Sequence, residues 1–242
     1  MTHIFQKESS VKTAIFSVMA ASTLFVLLGC NHRSETQTLQ PTQSEALAPM
    51  QQSWRGVLPC ADCEGIETSL FLEKDGTWVM NQRYQGAKEP ATFASYGNWA
   101  RTAEKLVLTD NEGEKHYFRA KGEGLEMLDT EGNPIESQFN YTLQPVKAAL
   151  PTTPMAMRGM YFYMADAAIF TDCATGKKVS VANNAQLERD YAAARGGDTK
   201  PVLLTVDGHF TLEANPDSGE SVKTLVADRN ARFEQGKDCN SQ

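Results

Sequence analysis

The sequence predicts a mainly β protein built from two small barrels, and three observations carry that expectation. From Trp54 onward, short alternating or apolar runs are separated by turn-forming residues. Eight such runs follow one another with no helical stretch between them, the pattern of an all-β barrel. After a proline-punctuated stretch the order becomes three strands, one helix and two strands, the order of a five-stranded OB-fold barrel.

The N-terminus comes first in the chain. Lys7 and Lys12 precede an apolar run from Ala14 to Leu28, too short to span a bilayer and placed where a secretory signal has its hydrophobic region, so residues 1–29 read as a signal peptide. Leu27-Leu28-Gly29-Cys30 looks like a bacterial lipobox, in which the cysteine is acylated, by palmitate among other chains, and becomes the new N-terminus. Each buried methylene adds roughly 0.8 kcal/mol, so several chains anchor firmly without any spanning helix. Met1 to Ser10 is surplus to an ordinary signal, which places the expected translation start near Val11. Residues 30–50 are rich in Gln, Thr, Ser, Glu and Pro without hydrophobic periodicity and read as a tether. A coil of that length measures roughly 25 Å and stretches to about 70 Å.

The first barrel is expected over residues 51–144, with strands at Trp54–Leu58, Ile66–Leu72, Thr77–Tyr84, Thr92–Ala100, Leu106–Thr109, Lys115–Ala120, Leu125–Leu128 and Phe139–Leu143. Eight strands is the size at which a barrel interior is either just filled or holds one small ligand. Pro145, Pro151 and Pro154 mark a linker at 145–154. The second barrel is expected over 155–242, with strands at Ala156–Met164, Ala168–Thr171, Lys178–Val181, Val202–Leu212 and Ser221–Ala227 and a further short piece at Arg232–Phe233. Its helix spans Ala185–Arg195, entered at Asn183 or Asn184 and stopped at Gly196.

Composition removes several functions. The 242 residues carry −7, and since the first 29 hold a net +1, the remainder carries −8 with no basic run, so nucleic acid is excluded as a partner. His32, His116 and His209 are scattered singly, and no nucleophile–base spacing or phosphate-binding loop appears; the chain does not read as an enzyme.

Five cysteines remain the chemically informative residues. With Cys30 assigned to lipid, four are left in an exported chain, and three pairings are open in principle. Pairing Cys173 with Cys239 is expected, because it would secure a C-terminal tail, Glu234 to Gln242, with little apolar content of its own. Cys60 and Cys63 form a close pair with three roles to weigh. A redox-catalytic role lacks a cationic neighbour, since Asp62 and Glu64 flank the pair. Two thiolates at this spacing suit copper(I), whereas zinc lacks its remaining ligands. A local disulfide is the default in an oxidising compartment. Met155, Met157, Met160 and Met164 could add thioether ligands to a copper site or fill a core. No cofactor is required.

The run Gln52-Ser53-Trp54-Arg55-Gly56-Val57-Leu58-Pro59-Cys60-Ala61-Asp62-Cys63-Glu64-Gly65-Ile66, with Gly159-Met160-Tyr161-Phe162-Tyr163-Met164 and Thr171-Asp172-Cys173-Ala174-Thr175-Gly176, resembles the NlpE (CutF) family. Only the N-terminal extension before Val11 departs from the family. The resemblance implies a lipocalin-like first barrel and an OB-fold second barrel. It implies an outer-membrane lipoprotein on the periplasmic face, delivered by the lipoprotein sorting machinery, as Asn31 after the acylated cysteine also suggests. It further implies an envelope-stress and adhesion sensor acting through the kinase CpxA, with a role in copper homeostasis.

Overall fold

Alternation in the first half of the chain becomes an up-and-down meander of eight antiparallel strands: β1 (Gln52–Leu58), β2 (Gly65–Leu72), β3 (Thr77–Gln85), β4 (Thr92–Arg101), β5 (Leu106–Asp110), β6 (Lys115–Lys121), β7 (Gly124–Met127) and β8 (Thr142–Pro145). The structure, a computed structural model, describes residues 52–86, 91–215 and 218–241; the signal peptide, Cys30 and the tether fall outside the described residues. Pairing of β8 with β1, Gln144 opposite Arg55 and Pro145 opposite Trp54, closes the meander into a barrel.

Successive side chains on a strand face opposite ways, so every second residue of these strands meets the barrel axis. Trp54, Leu70, Trp78, Met80, Leu108, Phe118 and Leu143 occupy that interior and are buried, and half-buried Trp99 packs against them. All three tryptophans of the sequence thus belong to this barrel. The indole N–H of Trp78 donates to the carbonyls of Asn98 (3.1 Å) and Thr109 (3.2 Å), which makes its complete burial tolerable. Gly97, opposite Trp78 on β4, is obligatory: a Cβ there would lie 1.9 Å from the Thr109 carbonyl oxygen.

The eighth strand begins later than alternation suggests. Phe139 is exposed and lies outside the ladder, because the Asn140 carboxamide takes the Thr142 N–H (3.0 Å) in a local turn and the strand starts only beyond it.

The second barrel comprises β9 (Met155–Met164), β10 (Ala167–Asp172), β11 (Lys178–Ala182), helix α1 (Ala185–Arg195), β12 (Val202–Ala214) and β13 (Ser221–Glu234), closed in the order β10-β11-β13-β12-β9. Among the described strands only β11 and β13 run parallel, and α1 lies in the connection that such a pair requires. Asn184 precedes the helix without a side-chain cap, and Gly196 ends it at a φ of 62°. Leu187 and Tyr191 are the helix's buried residues. The two short C-terminal pieces expected from the sequence are one strand: an irregular register near Asp207, with Asn230 at a φ of 56°, carries β13 through Asp228-Arg229-Asn230 without ending it.

All described residues belong to one compact unit. Phe71, Val79 and Tyr96, which point outward from the first barrel, share an apolar cluster with Met155, Met157, Val206, Phe210 and Leu225 of the second. Ala148 and Leu150, from the stretch between the barrels, pack against the same cluster. Among the described residues no helix is long and apolar enough to cross a membrane.

Candidate functional site

The chemically distinctive residues gather in three places. The first is the turn joining β1 to β2, where Cys60 and Cys63 are bonded to each other across a Cα separation of 5.3 Å. Ala61, Asp62 and Glu64 around them are exposed. The turn is fixed at its far end by the Glu64 N–H donating to the Gln85 carbonyl (3.1 Å). A disulfide offers no thiolate, so this pair could hold copper(I) only after two-electron reduction.

The second place is the C-terminal tail. Cys173, at the end of β10, is bonded to Cys239 with the same Cα separation, 5.3 Å. Arg158 on β9 reinforces the junction. Its guanidinium donates to the carbonyls of Cys239 and Asp238, both at 3.0 Å, and to that of Ser241. The Cys173 N–H returns to the Arg158 carbonyl at 2.9 Å. A tail with little apolar surface is thereby held by one covalent bond and one fork of charged donors.

The third place is where the barrels meet. The Tyr96 hydroxyl donates to Asp172 Oδ1 at 2.7 Å, buried from water. Burial first, and the Asp172 carboxylate second, push the Tyr96 phenol far above its ordinary range, so it stays protonated and remains a donor. Lys223 on β13 reaches Asp75 (2.7 Å) and Thr77 on the first barrel, and its ammonium lies 5.2 Å from the Phe210 ring centroid. Asn111 Nδ2 donates to the Ala156 carbonyl (3.2 Å) and Asn98 Nδ2 to the Ala174 carbonyl (3.4 Å). A cleft of about 630 Å³ opens beside these contacts, lined by Tyr96, Asn111, Arg158, Asp207, Asn230 and Cys239 among others.

The methionines do not converge. Met155 and Met157 are buried in the second core, whereas Met164 is 62% exposed at the far end of β9. His209 is paired with Asp228 at 2.9 Å. His116 has a setting that its isolation in sequence conceals. It stands edge-on to Trp78 with centroids 6.1 Å apart. Its ring and the carboxylates of Asp110 and Glu114 each bring a ligand-capable atom within 4.8 Å of the others. Alternation across the Asn111-Glu112-Gly113 turn puts the three on one hairpin face, a signal readable in sequence once the turn is placed. Two oxygens and one nitrogen are donors that a borderline divalent ion accepts. By contrast, Tyr96 and Asp172 are 76 residues apart and nothing local announces their meeting.

Comparison with known proteins covers both barrels. The NlpE N-terminal domain family matches residues 54–138, and the NlpE C-terminal OB domain family matches residues 151–240. The lipoprotein NlpE of Escherichia coli K12 is 68% identical over 232 residues, spanning 96% of this chain and 98% of the relative. Among solved structures, the Cpx pathway activator NlpE from Escherichia coli is 71% identical and covers 80% of this chain and 100% of that one, with a TM-score of 0.40. A putative lipoprotein from Shewanella oneidensis is 32% identical over 38% of this chain and 85% of its own, with a TM-score of 0.33. Two of these relatives are described as lipoproteins and one as an activator of the Cpx pathway. On sequence identity across nearly its whole length, the chain belongs to the NlpE family of lipoproteins.

Proposed function

We propose that the chain is an outer-membrane lipoprotein, anchored through acylated Cys30, that senses envelope stress and surface adhesion and activates the kinase CpxA, with a part in copper homeostasis. The observation that carries this reading is the 68% identity to an Escherichia coli NlpE over 96% of the chain. The physics of the layout supports it. A diffusible domain on a tether samples a small volume, so moving the anchor from outer to inner membrane raises its effective concentration at a membrane-embedded kinase without any new contact. Sorting failure then becomes a signal. Residues 1–29 would serve as the export signal, 30–50 as the tether and 145–154 as the connection between barrels.

The test is direct. Asn31→Asp should retain the protein on the inner membrane and raise output from a Cpx reporter, and Cys30→Ser should abolish palmitate incorporation and membrane fractionation. Confirmed mislocalisation with unchanged output would refute the sensor reading, and palmitate-free wild type would refute the anchor.

Copper delivery is the second reading, favoured by an exposed Cys60–Cys63 turn. Titrating copper(I) into the reduced protein and its Cys60→Ser/Cys63→Ser variant separates direct binding from signalling. A small-ligand carrier is disfavoured, because the first barrel's axis is occupied by Trp54, Leu70, Trp78, Met80, Leu108, Phe118 and Leu143.

A further inference from the structure

Two turns of the first barrel are built alike. Asp110-Asn111-Glu112-Gly113-Glu114 joins β5 to β6, and Asp129-Thr130-Glu131-Gly132-Asn133 follows β7. In the first, Asp110 Oδ1 accepts the N–H groups of Glu112 (2.9 Å) and Glu114 (2.8 Å); in the second, Asp129 Oδ1 accepts those of Glu131 (2.9 Å) and Asn133 (2.7 Å). Each turn is also closed by its glycine N–H donating to the aspartate carbonyl, at 3.2 Å and 3.0 Å. The turn itself therefore asks for the aspartate and the glycine and for little else. Beyond them the two diverge: Glu114 and His116 in the first stand where the second has Asn133 and Ile135. Turn geometry does not account for a carboxylate and an imidazole at those two places.

What the two share is the other oxygen of Asp110. Asp110 Oδ2 faces His116 Nε2 at 3.9 Å, too far for a hydrogen bond, and the Asp110 side chain is only 11% exposed. Its ion-pair neighbour among the described residues is that imidazole alone. Glu114 brings a second carboxylate oxygen within 4.8 Å of both. Two carboxylates gathered about an imidazole, one of them mostly buried and without a lysine or arginine, lack a positive charge between them. The frame is also set in advance. The Asp110 N–H donates to the Glu114 carbonyl (2.9 Å) and the Asn111 N–H to the Tyr96 carbonyl (3.0 Å), while Trp78 stands edge-on to the His116 ring at 6.1 Å. We propose that Asp110, Glu114 and His116 form a binding site for a borderline divalent ion such as zinc(II), with water completing its coordination. Ligand atoms roughly 2.0–2.1 Å from one tetrahedral zinc lie about 3.4 Å apart, so drawing Asp110 Oδ2 and the imidazole together takes about half an ångström. One nitrogen and two oxygens suit such an ion better than a soft or a wholly hard one. The site uses no sulfur and needs no reduction, so it is separate from the Cys60–Cys63 turn and independent of the sensor reading.

The experiment is a metal titration of the full chain with both disulfides formed, so that no thiolate competes. Calorimetry with zinc(II) should show an ion bound by wild type, and His116→Gln and Glu114→Gln should each weaken that binding by at least the roughly 10–100-fold that loss of an outer-shell partner costs. Glu131→Gln, the matching carboxylate change in the second turn, should leave affinity unaltered. Trp78 supplies a local readout. Cobalt(II), an open-shell ion, should quench indole emission from beside His116, and zinc(II), whose shell is filled, should displace it and restore the signal. Magnesium(II) in excess should not, because it prefers oxygen ligands and keeps its waters. Equal zinc(II) affinity in wild type and His116→Gln overturns the proposal, as does the absence of heat and of quenching at millimolar metal. Release of cobalt(II) by magnesium(II) overturns it too, since carboxylates alone would then explain the binding. Glu114 is exposed and its variant keeps the turn's backbone bonds, so the outcome does not hang on folding.

Discussion

Replacing Cys173 and Cys239 together by serine is the perturbation whose size can be worked out most fully. The two cysteines are 66 positions apart, and in the chain-entropy account a loop of that length restricts the unfolded state by about 4 kcal/mol. A second barrel of this size would lose about 4–8 °C of thermal midpoint per kcal/mol, so the shift should be roughly 15–30 °C. Arg158 and the Asp238–Ser241 turn hold the tail in the variant too, since none of their bonds uses the sulfurs. Cys60→Ser/Cys63→Ser is the control. Its loop spans a separation of only 3, a turn already fixed through Glu64 and Gln85, so the expected shift is a small fraction of the first. Calorimetry of the oxidised wild type and both variants decides the matter. If the Cys173/Cys239 variant melts within about 5 °C of wild type, the crosslink is not constraining the unfolded chain as the loop-length argument requires.

Three further outcomes are expected. Gly97→Ala should fail to form the first barrel or lose several kcal/mol, because the new methyl meets the Thr109 carbonyl and the Asp110 Cα, both backbone; a folded variant with wild-type denaturant midpoint would contradict the close approach. Burial alone would raise the Asp75 carboxyl, but Lys223 and Thr77 outweigh it and hold it below its ordinary 3.8. A depressed carboxylate supports the fold above 3.8 and loses that contribution as pH falls below it, so thermal midpoints should drop through that range more steeply in wild type than in Lys223→Met. Burial drives the Tyr161 phenol up to about 12 from 10, so its contribution is whole below pH 10 and lost as pH rises towards 12; since its hydroxyl has no well-formed partner, Tyr161→Phe should leave neutral-pH stability nearly unchanged and flatten the alkaline decline.

Much of this architecture is legible in the residues because most strands have one buried and one wet face. The helix reads cleanly at Ala185–Arg195 because Asn183-Asn184 and Gly196-Gly197 bracket it. The late start of β8 is illegible by hydrophobicity, since Phe139 looks like a core residue and only the Asn140 side chain reveals otherwise. The continuity of β13 is hidden for a similar reason: Asp228-Arg229-Asn230 has turn composition, and an irregular pairing absorbs it. Cysteine spacing points to Cys60, Cys63, Cys173 and Cys239, but spacing says nothing of Arg158, which shares the tail's restraint. Contacts between barrels are the least legible layer. Phe71 and Val79 alternate as outward residues and read as solvent-facing, and only the covering barrel explains their hydrophobicity.

Confinement of Trp54, Trp78 and Trp99 to the first barrel makes the native chain its own optical instrument. Indole emission reports on that half alone, while Tyr161, Tyr163 and Tyr191 absorb in the other. Tyrosine excitation can pass from one half to indoles in the other only while the two are neighbours. Loss of that transfer, with indole emission under direct excitation unaltered, would mark separation of two intact halves and distinguish it from melting without any attached dye.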